Sequence, residues 1–252
     1  MIAELINAEG VISKNRFTYV VGCDGGHSSV RALLNIAYQQ QTYFSHFILM
    51  DAILEESYSD KNLHYFLTDK GYLILVPLPE KKYRLIASLK GNHPGKDQVD
   101  LSIENFQKIL NERGAGNIWI KKSIWSTSAN FYHKLADCAM QGNTFLVGDA
   151  LHQFSPVGGT NMNTGIQDAF HLAEKITLVK KKKQAVSYLE SYASERMQAA
   201  KKIMAVTENA TNLLTRNSSS IEEEQKYLPL MRNRSFIKSA LPRLFSGLDF
   251  MG

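Results

Sequence analysis

The sequence predicts an α/β chain of the α+β kind, in which two strand–turn–helix units bracket an inserted antiparallel sheet and helices close the chain. Three observations carry this. Residues 16–35 and 144–180 each run from a short apolar stretch through a Gly- and Asp-bearing turn into a helical pattern. The interval 36–129 is built mainly from short runs of aromatic and β-branched residues, the composition of strands. From residue 160 onward, apolar residues recur at three- and four-residue steps.

Taken in order, Phe17 to Val21 read as a buried strand and Gly22 to Gly26 as a tight turn. Ser28 or Ser29 then caps a helix through Val30, Leu33 and Leu34. Asp24 stands at the strand end. Arg31 is near enough in sequence to pair with it or to meet a phosphate-bearing ligand; the same two residues equally fit a bracing role within the turn. Four strands follow, Phe44–Ile53, Leu63–Leu67, Tyr72–Val76 and Tyr83–Leu89. Asp69-Lys70-Gly71 is short enough for a hairpin, and Leu78 to Lys82 links the next pair. Gly91 to Asp100 is a polar loop. Ser102 to Asn111 has helical composition and is stopped by Gly114 and Gly116, after which Trp119 to Thr127 is extended.

Thr144 to Val147 form a short buried strand that meets Gly148-Asp149 at its end. Pro156, Gly158 and Gly159 interrupt the pattern before a long helix. Its Ile166, Ala169, Phe170, Ala173, Ile176 and Val179 are expected on one buried face. Thr160, Asn161 or Asn163 is positioned to cap it. A carboxylate at the strand end and the partial positive charge of a helix start suit an oxygen-rich ligand, although an ordinary strand–helix junction accommodates the same residues. Lys180–Lys183 mark an exposed turn. Ala185 to Leu214 read as a second long helix, with Tyr188, Tyr192 and Arg196 spaced to pack across the first. Asn217 to Lys226 is a polar loop, and Phe236 to Phe245 a short closing helix.

Composition narrows the classes of function. With 44% apolar and 21% charged residues the chain is globular, and no stretch is apolar for long enough to span a bilayer. MIAELINAEG lacks the features of a signal peptide, so a cytoplasmic location is expected. Cys23 and Cys138 are too sparse for a disulfide framework, and His46, His64, His93 and His133 lack a metal-ligand rhythm, so no metal site is expected. A net charge of +5 without interleaved stacking aromatics gives no reason to expect nucleic-acid binding.

The stretch GDALHQFSPVGGTNMNTGIQDAFHLAEK resembles the second flavin signature of FAD-dependent aromatic-ring hydroxylases, the flavoprotein monooxygenases of the para-hydroxybenzoate hydroxylase and phenol 2-monooxygenase type. Asp24, Gly25, Ser28 and Arg31 are similar to the family's other internal signature, Asp-Gly-x-x-Ser-x-x-Arg, and Tyr192, Glu195 and Arg196 to its Tyr-x-x-Glu-Arg helix. The resemblance implies an FAD/NAD(P)-binding domain with an inserted antiparallel-sheet substrate domain, one face of which roofs the flavin pocket. Within this chain it implies FAD-binding parts at 1–40 and 130–215, the sheet at 41–129, and a loop with a short helix at 216–252. By the same resemblance Asp149 holds the ribityl hydroxyls, and Gly148 beside it is cofactor-binding. Pro156, Gly158, Gly159, Thr160, Asn161, Met162 and Asn163 wrap the isoalloxazine, and Asp24 and Arg31 lie near the diphosphate and the nicotinamide path. Asp168 is expected to orient and pack rather than react, Arg196 to be structural, and His152 to be a pocket wall or a brace.

The activity so implied is NAD(P)H-dependent hydroxylation of a small aromatic or hydrophobic substrate, with FAD supplying the reactivity. No protein side chain is therefore assigned as catalytic. Another flavin enzyme on the same scaffold (an epoxidase or a reductase) and a non-enzymatic remnant are the alternatives. Members of the family begin with a strand, a Gly-x-Gly-x-x-Gly turn and a helix, and that triplet does not occur in this sequence. The resemblance thus implies an incomplete FAD-binding domain: a truncated product, a mistaken start or one half of a split protein. Such a chain is expected to hold FAD weakly and to need a complementary N-terminal fragment or a homo-oligomeric partner.

Overall fold

In the computed structural model, which describes residues 1–56, 58, 61–68, 70–89, 99–155 and 159–215, the chain divides into two compact units. The first is built from Met1–Gln41 and Tyr132–Thr207, and the second is centred on Thr42–Phe131.

The first unit opens with an antiparallel hairpin of β1 (Ile2–Ile6) and β2 (Ile12–Arg16). Its turn is closed by Asn7, whose side-chain oxygen accepts from the backbone N–H groups of Glu9 and Val11, a local bond that Asn makes readily. Sequence reading missed this hairpin because its alternation buries nothing: Ile2, Ile6, Val11 and Ile12 are all exposed. The strand expected at Phe17–Val21 is shorter and lies at β3 (Val20–Gly22), followed by the helix α1 (Ser29–Leu33). Ser28 caps α1 by accepting from the Arg31 N–H. Strand β10 (Thr144–Leu146) pairs in parallel with β3 and antiparallel with β9 (Met140–Gln141). Two helices follow, α3 (Thr160–Lys180) and α4 (Glu190–Thr215). Phe145, Leu146, Leu151, Leu172, Leu189 and Tyr192 lie in one core, where the Tyr192 hydroxyl donates to the Leu146 carbonyl at 2.7 Å.

Helix α3 corrects one expectation. Ile176 and Val179 do pack against the core, but Ile166 and Phe170 are 60% and 70% exposed, and Ala169 and Ala173 are exposed as well. The buried positions are Thr160, Thr164, Asp168, Leu172 and Lys175. Apolar spacing placed the face wrongly because the inward side is governed by polar bonds and close backbone approach. A Cβ on Gly165 would come within 3.2 Å of the Gly148 Cα, so α3 lies directly on the turn after β10.

In the second unit β4 (Tyr38–Leu54), β5 (His64–Thr68), β6 (Gly71–Leu78), β7 (Lys82–Leu89) and β8 (Ile120–Ala136) form a sheet in the order β8-β4-β7-β6-β5. The β4–β7, β7–β6 and β6–β5 pairs are all antiparallel. Both β4 and β8 run longer than their aromatic and β-branched centres indicated. On one face Ile48, Met50, Leu73, Leu75, Leu85 and Ala87 cover Phe106, Ile109 and Leu110 of α2 (Ile103–Glu112). Ser102 caps α2 by accepting from the Asn105 N–H. Arg113, at its C-terminal end, donates to the carbonyls of Tyr72 and Ser88, which ties helix to sheet where a cation suits the helix dipole. On the opposite face Arg84 makes a two-point bond to its cross-strand partner Asp51 at 2.7 and 2.9 Å. The α/β (α+β) class expected from the sequence holds.

The reassigned face of α3 makes a direct prediction. Leu172→Ala should lower stability by about 2–5 kcal/mol, whereas Phe170→Ser should cost less than about 0.5 kcal/mol. Denaturant midpoints at unchanged slope measure both; a large loss at Phe170 would return that side chain to the core.

Candidate functional site

The turn after β10 is held from beneath. Gly148 has φ of +61°, a left-handed conformation suited to glycine, and its N–H donates to the Asp168 carboxylate at 2.9 Å. That carboxylate is fully buried. It also meets His152 Nε2 at 2.7 Å and accepts from Arg196 Nε at 2.6 Å. Burial alone would raise the Asp168 pKa, but the His152 hydrogen bond, the charges of His152 and Arg196 and the Gly148 N–H together hold it below the ordinary carboxyl value. His152 also stacks on Phe154, with ring centroids 4.6 Å apart. It is therefore a brace inside the unit.

With the turn fixed, Asp149 points its carboxylate outward. The residue is exposed, and Gln153 Nε2 approaches Oδ2 at 3.2 Å. Tyr38 donates its hydroxyl to the Asp149 carbonyl at 2.8 Å, and burial raises that hydroxyl's pKa well above its ordinary range, so it remains a donor. Arg31 is buried. Its guanidinium donates to the carbonyls of Ala150 and Gly26 at 2.9 and 2.8 Å and lies 3.8 Å from the centre of the Tyr38 ring. The structure thus joins the two signature turns through Arg31. Asp24 accepts from the Val30 N–H at 3.0 Å. Burial would raise the Asp24 pKa, but hydrogen bonds from the Ser28 side chain and the N–H groups of Val30, Ser29 and Asp24 itself keep it lowered. Asp24 therefore serves the start of α1 and makes no ion pair with Arg31.

At the start of α3 none of the expected residues occupies the capping position. Gly159, at φ +63°, occupies the capping position with no side-chain bond to the helix. Asn161 is bound on both sides to Phe154, accepting from its N–H and donating to its carbonyl, each at 2.8 Å. Its amide thus pins the approaching chain, and among the described residues the helix has no side-chain cap. Thr160 Oγ1 is buried without a hydrogen-bond partner among the described residues. Met162 and Asn163 are exposed on the first turns. Pro156 and Gly158 lie outside the described residues. Among the described residues no group of three or more His, Cys, Asp or Glu is placed to hold a metal.

An outward carboxylate can accept from hydroxyl groups, and an uncapped helix start presents N–H donors and a positive dipole end to an electron-rich edge. A family model described as the FAD binding domain matches residues 3–207, and the chain belongs to that family. The cofactor is FAD, and the residues present fit it: Asp149 suits a polyol chain, and the orphaned Thr160 hydroxyl with the uncapped α3 start suits the polar edge of a ring. The chain is 32% identical over 191 residues to pentachlorophenol 4-monooxygenase of Sphingobium chlorophenolicum, covering 75% of this chain and 35% of the relative. It is 29% identical over 201 residues to 6-methylpretetramide 4-monooxygenase of Streptomyces rimosus, covering 78% and 35%. It thus spans about a third of the length of these two relatives. Among solved structures, the OxyS anhydrotetracycline hydroxylase from Streptomyces rimosus superposes with a TM-score of 0.76 at 23% identity, over 98% of this chain and 49% of that one. The resemblance to FAD-dependent aromatic hydroxylases holds at the level of family.

Sequence reasoning did not single out Tyr38 or Gln153. Each acts through a bond to the Asp149 turn from outside both signatures' matched positions, and neither carries a pattern of its own.

Acid should loosen this unit in two steps. His133 is buried beside Thr207, and burial depresses its pKa from 6.5 to about 4. The unfolded chain therefore takes up the proton first, and roughly 3 kcal/mol of stability should be lost as pH falls from 6.5 to about 4. His133→Phe should flatten that window in pH-dependent melts. The depressed Asp168 pKa adds stability present above the unfolded carboxyl value, near 4, and lost as pH falls through the folded one. At neutral pH Asp168→Asn should cost roughly 3–5 kcal/mol, because Arg196 is left buried without its counter-charge.

Proposed function

We propose that this chain is part of the flavin-holding core of an FAD- and NAD(P)H-dependent monooxygenase acting on a small aromatic ring. The observation that carries the reading is the outward Asp149 carboxylate beside the uncapped start of α3. Asp149 binds ribityl hydroxyls, while Gly148, Gly159, Thr160, Asn161, Met162 and Asn163 shape the backbone around the ring. Asp24 and Arg31 act one step back, setting the turn nearest the diphosphate. Bound FAD supplies the reduction by NAD(P)H and the activation of oxygen, so the protein groups bind, orient and exclude water. The names of the matched relatives support a ring substrate. Free Cys23 and Cys138 support a cytoplasmic setting. Among the described residues no helix is long and apolar enough to cross a membrane.

Titrating FAD against the purified chain tests the binding half. Asp149→Ala should weaken binding by about 1–3 kcal/mol through lost charge-assisted hydrogen bonds. Gly159→Ala should distort the ring site, since alanine is strained at a left-handed φ by roughly 1 kcal/mol. In the polypeptide that carries this chain, labelled oxygen should enter the aromatic product as NAD(P)H is consumed. NAD(P)H oxidation that releases only peroxide across a broad aromatic panel would move the assignment to a reductase.

A further inference from the structure

Strand β11 (His152–Gln153) follows the Asp149 turn and pairs antiparallel with β8, setting Gln153 directly opposite Lys134. Directly opposed residues project to the same side, so the two side chains are neighbours. Lys134 is half-buried, with its ammonium 4.9 Å from the centre of the Tyr132 ring and 5.7 Å from that of Tyr38. Both are cation–π distances. It makes no ion pair or hydrogen bond among the described residues. Tyr38 is itself fixed, by its hydroxyl bond to the Asp149 carbonyl and by the Arg31 guanidinium on its ring. The ammonium is thus drawn toward two aromatic faces, one of them immobilised. Room for Gln153 comes from Gly26, where a Cβ would fall 2.5 Å from its amide nitrogen.

Carboxylate, amide and ammonium therefore form a row, Asp149–Gln153–Lys134. The first accepts from hydroxyl groups. The last, with no carboxylate partner among the described residues, can donate to an anion. A ligand matching both ends carries hydroxyls beside a phosphate. We infer that Lys134 is a phosphate-binding residue and that this row takes a polyol phosphate, a reading that rests on Asp149 as the hydroxyl acceptor. The phosphate belongs either to the flavin cofactor or to the nicotinamide reductant, which share this chemistry.

Two measurements test this on the purified chain. In flavin titrations, Lys134→Met should weaken FMN and FAD about tenfold, leave riboflavin unchanged, and be rescued by Lys134→Arg. Unchanged FMN and FAD with weakened NADPH binding would assign the phosphate to the reductant and keep the inference. In the wild-type chain, ribose 5-phosphate but not ribose should slow acetylation of Lys134, followed by mass spectrometry. Protection without any flavin binding would sustain the phosphate site and remove the flavin reading. Lack of protection, together with wild-type affinities for FMN, FAD and NADPH in Lys134→Met or no binding of these ligands at all, would overturn the inference.

Discussion

The first unit depends on one buried carboxylate. Asp168, in the middle of α3, accepts from the Gly148 N–H and Arg196 Nε and is bonded to His152, which ties α3, the turn after β10, β11 and α4 to two oxygen atoms. A carboxylate at 0% exposure is tolerable only with this many partners, since desolvating an unpaired one costs several kcal/mol. The arrangement is therefore close to all-or-none. It fixes the rotation of α3 about its axis, which is why Thr164 and Leu172 face inward and Phe170 faces out.

From that constraint follows the geometry of the turn above it. The Gly148 N–H is held down, so the backbone must leave β10 through a left-handed residue, and Asp149 emerges on the outer side. Arg31 adds a second tie by donating to carbonyls on both signature turns. These two ties consist of side chains bonding to backbone groups. Substitution at Arg31 or Asp168 thus perturbs where the backbone of the turn lies, while the Asp149 carboxylate is the group left exposed.

Much of the fold was legible in the sequence, and the failures have specific causes. The strands of the second unit and the capped helix α2 were readable because their side chains alternate or recur against a single apolar core and Ser102 marks the helix start. The hairpin β1–β2 was not, because its apolar residues remain exposed and its turn is an Asn7 side-chain device. The inward face of α3 was misread because periodicity counts apolar residues, whereas the face is chosen by Asp168 and by the approach of Gly165 to Gly148. In the candidate site, the chemistry of Asp149 at a strand end was visible. The absence of a side-chain cap on α3 was not, since Asn161 looks like a cap and is committed to Phe154.

Asp24 and Asp149 show why residue type and local pattern do not settle a role. Each follows a short parallel strand of the same sheet and precedes a helix. After Asp24 the helix begins within a few residues, so the carboxylate reaches its own Val30 N–H and is used locally. After Asp149 the chain first makes β11 and the pinned segment at Phe154, so α3 begins well downstream. The second carboxylate makes no bond to its own helix start and keeps its acceptor capacity. The length of chain between strand and helix, more than the aspartate itself, separates a carboxylate that caps from one that can bind.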